Sequence, residues 1–142
     1  MEEPQRHQGT KDYWLRPLPP DLGPLSRVIV DAAFKVHKTL GPGLLESVYE
    51  RCLRHEFRCR GVPFQSQLSQ PVLYDGVSIE AGLRIDLIVD GRIIVELKAA
   101  EVMHPIDTAQ LLTYLKLTGL RLGLLINVYV PLIRDGIRRI VL

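Results

Sequence analysis

Two acids and a lysine, Asp86, Glu96 and Lys98, interrupt an otherwise aliphatic stretch, Arg84-Ile-Asp-Leu-Ile-Val-Asp-Gly-Arg-Ile-Ile-Val-Glu-Leu-Lys98. Stripping water from an unpaired ion is costly, so charges inside near-continuous Ile, Leu and Val need a reason. Two carboxylates are suitable oxygen ligands for a hard divalent cation such as Mg²⁺. A lysine beside them can hold a phosphate or orient an attacking water. Glu96 and Lys98 are two apart, so on a strand they share a face.

The elements that must position these groups follow from the pattern around them. Asp90-Gly91 between two apolar runs is a strong short-range hairpin signal, with strands expected at about Arg84–Val89 and Arg92–Ala99. Upstream, Val28, Ala32 and Val36 fall on one stripe of a helix from about Pro24 to Leu40, ended by Gly41-Pro42-Gly43. A second helix is expected from about Leu44 to Arg60, with Leu45, Val48, Tyr49, Cys52, Leu53 and Phe57 as its apolar stripe. Glu50, Arg51, Arg54, His55, Glu56 and Arg58 read mostly as its wet face. Two or three modest strands fill Phe64 to about Leu83, with a further turn at Asp75-Gly76. A third helix, about Pro105 to Thr118, is apolar on more than one side and should be well buried. Gln110 and Tyr114 are four apart on it and share a face. Aliphatic strands at Leu122–Val128 and Ile137–Leu142 complete an α/β or α+β layered domain whose central strands are covered on both faces.

Composition sets wide bounds. The 142 residues suit one domain, expected at 21–142 after a polar, proline-containing tail over 1–20. The net charge of +2 neither demands nor excludes a nucleic-acid partner, because a local basic face is enough. Cys52 and Cys59 complete no zinc spacing and, two helical turns apart, lie too far apart for a disulfide. They read as reduced thiols, with a cytoplasmic location expected. No apolar run approaches the ~18 residues of a membrane span, and Met1 to Lys11 lacks the apolar centre of a secretory signal.

The motifs carry a resemblance. Asp86 followed by Glu96-Leu97-Lys98 resembles the Asp and Glu-x-Lys core of the PD-(D/E)XK nuclease superfamily. Gln110-Leu-Leu-Thr-Tyr114 is similar to the Gln-x-x-x-Tyr helix motif of its RecB- and Cas4-like members. Gly43-Leu-Leu-Glu46-Ser-Val-Tyr49 resembles the signature of the small GxxExxY proteins of that superfamily, as do Val28-Ile-Val-Asp-Ala-Ala-Phe-Lys-Val-His37 and Gly123-Leu-Leu-Ile-Asn127-Val128. The likeness runs from about Ile29 to Leu142. One position departs: Leu83 stands three before Asp86, where an aromatic is expected.

This resemblance implies a restriction-endonuclease-like core, a mixed central β-sheet flanked by helices, and hydrolysis of phosphodiester bonds in DNA or RNA with Mg²⁺ or Mn²⁺. Asp86 and Glu96 would bind the metal, with the Leu97 carbonyl as a third oxygen and Glu46 completing the site directly or through water. Lys98 would stabilise the phosphate or position the water. Gln110 and Tyr114 would touch phosphate or nucleophile, and His37 would be an extra ligand.

Each residue also has a plainer role. Glu46 in a first helical turn is favoured by the helix dipole, and His37 suits a helix C-terminus. Tyr49 and Tyr114 suit a core with the hydroxyl at its surface. His104 suits a turn and Lys116 a surface. Arg134, Arg138 and Arg139 form a basic rim or a solvated face. Three functions compete: a metal-dependent nuclease, a nucleic-acid-binding protein that keeps the fold without cleaving, and an interaction module or homodimer whose buried charges form an ion-pair network.

Strand parity tests the metal site. A two-residue turn at Asp90-Gly91 would set Asp86 opposite Val95 and aim Glu96 to the other side. The nuclease reading therefore requires a three-residue loop, Asp90 to Arg92, or a β-bulge, either of which sets Asp86 opposite Glu96.

Overall fold

A computed structural model describes residues 17–142. The expected docking of Trp14 and Leu15 lies outside the described residues, as does most of the expected tail. Within the tail's described part, Leu18 packs against the core; Leu22, in the expected domain at the end of a 3-10 turn over Pro20–Leu22, is buried within it.

Two helices come first, α1 (Gly23–Leu40) and α2 (Glu46–Cys59), then strands β1 (Phe64–Tyr74), β2 (Val77–Val89) and β3 (Ile93–Lys98). Helix α3 (Pro105–Thr118), strand β4 (Leu122–Asn127), a 3-10 turn at Ile133–Gly136 and strand β5 (Ile137–Val141) follow. The five strands form one sheet in the order β1-β2-β3-β4-β5. All neighbours are antiparallel except β3 and β4, which run parallel and are joined across one face by α3. This is the mixed sheet flanked by helices expected from the sequence.

Alternation along the strands splits the core in two. Val95, Leu97, Leu124 and Ile126 pack under α1 and α2 with Ile29, Ala32, Leu53 and Phe57. Ile94, Leu125 and Ile140 pack under α3 with Leu111, Leu112 and Leu115. Helix α3 is buried along one side only: Thr108, Leu111, Leu112, Tyr114 and Leu115 face the sheet, whereas Ala109, Gln110, Thr113 and Lys116 are exposed. Leu83 packs, half-buried, beneath α3, so an aliphatic side chain fills the place where an aromatic is expected.

The expected short strands between Phe64 and Leu83 are two long ones. The register shifts between the pairs Gln70–Leu83 and Val72–Ile79, and Gly82 takes a positive φ of 71° in that irregular stretch, a conformation open to glycine that lets β2 continue past it. The resulting ribbon runs beyond the helices, and its tip exposes Leu73, Tyr74, Val77 and Ile79.

A close approach ties the last turn to β4. A Cβ placed on Gly136 would lie 2.2 Å from the Asn127 carbonyl oxygen. Gly136→Ala must therefore move backbone. Its expected cost is about 1–3 kcal/mol, read as a lower midpoint in urea with an unchanged slope.

Candidate active site

The hairpin loop is the three-residue kind. Asp90 and Gly91 take positive φ (52° and 64°), Arg92 N–H donates to the Val89 carbonyl at 3.0 Å, and Asp90 N–H is taken up by the Pro63 carbonyl at 2.8 Å. Leu87 pairs with Val95, Ile88 with Ile94 and Val89 with Ile93. One step further along that register sets Asp86 opposite Glu96.

The backbone ladder stops there, and the two acids take over its hydrogen bonds. Asp86 N–H donates to Glu96 Oε2 at 2.7 Å, and Leu97 N–H donates to Asp86 Oδ2 at 2.9 Å. Each carboxylate thus bonds the main chain of the opposite strand and stands in the gap between them. Alternation slips at the same point: Ile85 packs under α3, whereas Leu87, two residues on, packs under α1 and α2. Opposite Asp86 on β1, Gln67 takes a φ of 53°, and the β1–β2 pairing skips that pair.

Crowded carboxylates in a poorly hydrated gap resist ionisation. Burial, then the nearby Asp86 charge, pushes Glu96 up to about 8, against the pull of the Asp86 N–H and of Lys98. Burial also raises Asp86, opposed by the Leu97 N–H, the Lys98 charge and the Gln67 amide. Tyr114 is raised by burial and then by the Glu96 and Asp86 charges. Lys98 is half-buried, its Nζ 3.9 Å from Asp107 Oδ1.

One participant escapes sequence reasoning. Glu50, expected on the wet face of α2, is buried, accepts a 2.7 Å hydrogen bond from the Gln67 amide, and raises the pKa of Glu96. Its own pKa is raised by burial, with the Gln67 hydrogen bond opposing and the Asp86 charge adding. The kinked strand β1 covers that side of α2. Glu56, also expected to be wet, is buried with Lys35 Nζ at 3.2 Å and Arg60 Nη2 at 3.4 Å. The signal that could have found Glu50 is spacing: it follows Glu46 by four and so shares its face. Gln67 gives none, because an alternating polar strand looks like an exposed edge. Asp107 joins Lys98 through the start of α3, where its Oδ2 also accepts from His104 N–H at 3.2 Å.

The other expected site residues are placed unevenly. Glu46 is exposed and accepts a 2.8 Å hydrogen bond from Ala99 N–H, just past Lys98. Tyr114 is buried, its hydroxyl donating to the Arg84 carbonyl at 3.3 Å, two residues before Asp86. Gln110 is exposed on α3. His37 is buried near the end of α1, its Nε2 without a hydrogen-bond partner, beside a cleft walled by Phe34, Lys38 and Pro131 to Arg134. Among the described residues, no three His, Cys, Asp or Glu side chains lie close enough to hold one ion. Cys52 and Cys59 are free thiols.

A family model for the PD-(D/E)XK nuclease superfamily matches residues 24–140. The chain belongs to that superfamily. Its five-stranded mixed sheet between α1–α2 and α3 is consistent with a restriction-endonuclease-like core, and the GxxExxY pattern at Gly43, Glu46 and Tyr49 fits it. Nucleases of the superfamily generally use divalent metal ions and act on nucleic acid. Neither a curated protein nor a solved structure matches the chain. No helix among the described residues is long and apolar enough to cross a membrane.

Proposed function

We propose that the protein is a metal-dependent nuclease hydrolysing phosphodiester bonds of DNA or RNA at Asp86, Glu96 and Lys98. The observation that carries the reading is the register. The three-residue loop sets the two acids opposite each other, where they replace the backbone ladder at its end.

A divalent cation suits the residues present. Main-chain N–H groups engage Oδ2 of Asp86 and Oε2 of Glu96, which leaves the second oxygen of Glu96 for a metal, while the Gln67 amide also bonds the Asp86 carboxylate and would yield to the ion. The resistance of both acids to ionisation is what an unneutralised metal pair should display. Mg²⁺ keeps several of its waters and needs only one or two carboxylates, so two acids suffice without a third side chain. Asp86, Glu96 and the Leu97 carbonyl would hold Mg²⁺ or Mn²⁺. The ion would lower the pKa of a bound water and neutralise charge on the phosphoryl oxygens.

The chain's own groups do the rest. Lys98 places its ammonium on the scissile phosphate, steadied by Asp107 until substrate arrives. Glu50 and Gln67 brace Asp86 from the α2 side. Glu46 fixes the backbone at Ala99 and would complete the cation site directly or through water. Tyr114 holds the Arg84 carbonyl and so the strand leading into Asp86, and Gln110 reaches the substrate from the exposed side of α3. His37 takes no part, because its cleft belongs to the end of α1 and the Pro131–Arg134 turn. The test is cleavage of labelled single- and double-stranded DNA and RNA with Mg²⁺ or Mn²⁺ against EDTA. Cleavage of none of them, with no metal binding by calorimetry, rejects the reading.

A second reading, an interaction module or homodimer, draws on the apolar ribbon tip. Leu73, Tyr74, Val77 and Ile79 lie exposed on a two-stranded extension, and β2 pairs with β3 only from Leu87 to Val89. Open strand edges invite further pairing. Under this reading, sedimentation velocity gives a dimer that Leu73→Lys with Val77→Lys returns to monomer. A wild-type monomer at high micromolar concentration excludes it.

A further inference from the structure

Two sequence motifs meet at one pocket beside the end of β3, and of their residues only Glu46 has a part in the proposed metal site. The first is Gly43, Glu46 and Tyr49. The Tyr49 hydroxyl donates to the Gly41 carbonyl and accepts from Leu44 N–H at 3.3 Å, which pins the loop ahead of α2. Gly43 turns that loop with a φ of 108°. Glu46 then joins it to the end of β3 through Ala99 N–H.

The second motif contains Asn127, which is buried opposite Lys98 in the β3–β4 register. Its amide donates to the Ala100 carbonyl at 2.8 Å, and its Oδ1 accepts from Ala100 N–H at 3.2 Å and from Tyr129 N–H at 3.1 Å. Val128 N–H adds a 2.8 Å bond to the Lys98 carbonyl. Asn127 thereby fixes Ala99–Ala100 and Tyr129 relative to Lys98.

Between the two motifs lies an open pocket of about 620 Å³, walled by Gly43, Leu44, Leu45, Glu46, Ala99 and Tyr129. Its size is in the range of ligand pockets, roughly 300–1,000 Å³. Leu44, Leu45 and Tyr129 stay exposed there, at 43%, 74% and 45%. An aromatic and two leucines held open around Ala99, one residue past Lys98, are poor partners for a duplex backbone, which is bound chiefly by cations. They suit an unstacked base, whose face stacks on an aromatic ring. The Glu46 carboxylate repels a phosphate from this pocket but can accept a hydrogen bond from a base amino group.

We infer that this pocket receives one unpaired nucleobase of the strand whose phosphate lies at Lys98, stacked on Tyr129, so that the protein selects single-stranded over double-stranded nucleic acid. The inference rests on the nuclease reading for the position of the phosphate. Tyr129 is a binding residue, and Asn127 a positioning residue that acts through it.

The test is equilibrium binding of the full chain, in EDTA, to fluorescein-labelled 12-mers of mixed sequence, single-stranded DNA or RNA and the matching duplexes, read by anisotropy. Single strands should bind at least tenfold tighter than duplexes. Tyr129→Ala should weaken single-strand binding about tenfold, in line with the loss of one stacked base. Tyr129→Phe should restore it, and neither variant should alter duplex binding. Both variants are first checked for an unchanged thermal midpoint, and Leu45→Ser tests the opposite wall should Tyr129→Ala be destabilised. Equal binding of duplex and single strand, or single-strand binding indifferent to Tyr129 and Leu45, overturns the inference. Because no metal is present, the outcome is separable from that of the cleavage assay. Tyr129-dependent single-strand binding without cleavage removes the nuclease and keeps the pocket, whereas cleavage without it does the reverse.

Discussion

Glu96→Gln is expected to stabilise the metal-free protein at pH 8 while removing its metal response. Burial and the Asp86 charge push the Glu96 carboxyl up to about 8. Between the ordinary glutamate range and pH 8, the folded state therefore keeps a proton that the unfolded chain has released. Stability falls as pH rises through that window. The wild-type protein in EDTA should lose on the order of a few kcal/mol between pH 5 and pH 8, because each tenfold difference in proton affinity between folded and unfolded states is worth about 1.4 kcal/mol. Asp86 and Glu50, both raised by burial, add to the same slope. A glutamine is neutral throughout and its carbonyl can still accept from Asp86 N–H. The variant should thus melt close to wild type at pH 5 and on the order of 10 °C above it at pH 8. Added Mg²⁺ should raise the wild-type midpoint at pH 8 and leave the variant unmoved. A wild-type midpoint that is flat or rises with pH in EDTA would show that Glu96 ionises freely.

The second large effect concerns rate. Asp86→Asn and Lys98→Met should each lower kcat for cleavage by about 10²–10³-fold or more, the scale on which loss of one group opposing developing charge is felt. Neither change should unfold the protein. Asparagine keeps an oxygen for Leu97 N–H, and methionine keeps most of the lysine stem while giving up only a 3.9 Å pairing with Asp107. An ion pair of that length contributes little to stability. The two variants should differ in metal dependence. Asp86→Asn should need more Mn²⁺ to reach its residual rate, whereas Lys98→Met should keep the wild-type metal midpoint. Wild-type rates in both variants would place hydrolysis elsewhere on the molecule.

Particular residues show how far the sequence could be read. The helices ending at Gly41-Pro42-Gly43 and Gly61, the hairpin at Asp90-Gly91 and the aliphatic strand at Leu122 were legible, because periodicity and turn chemistry are local properties. The one-residue choice at the hairpin was not. Asp90-Gly91 accepts a two- or a three-residue loop, and the difference reverses every side chain beyond it. The tertiary structure makes the choice by taking Asp90 N–H onto Pro63, from outside the hairpin. Glu50 teaches the same lesson on a helix. Periodicity says which residues share a face of α2, but not that a kinked strand will cover it.

Residue types and spacing were enough for the inventory of this protein: its elements, its family, and the acids and lysine worth attention. Those signals act over a few residues and need no knowledge of the fold. Which of the groups meet is a matter of tertiary structure. It joins Asp86 and Glu96 across splayed strands, buries Glu50 beside them, ties Glu46 to Ala99 instead, and leaves His37 at another cleft. Burial and long-range pairing set those distances, and neither is a property of any short stretch of chain.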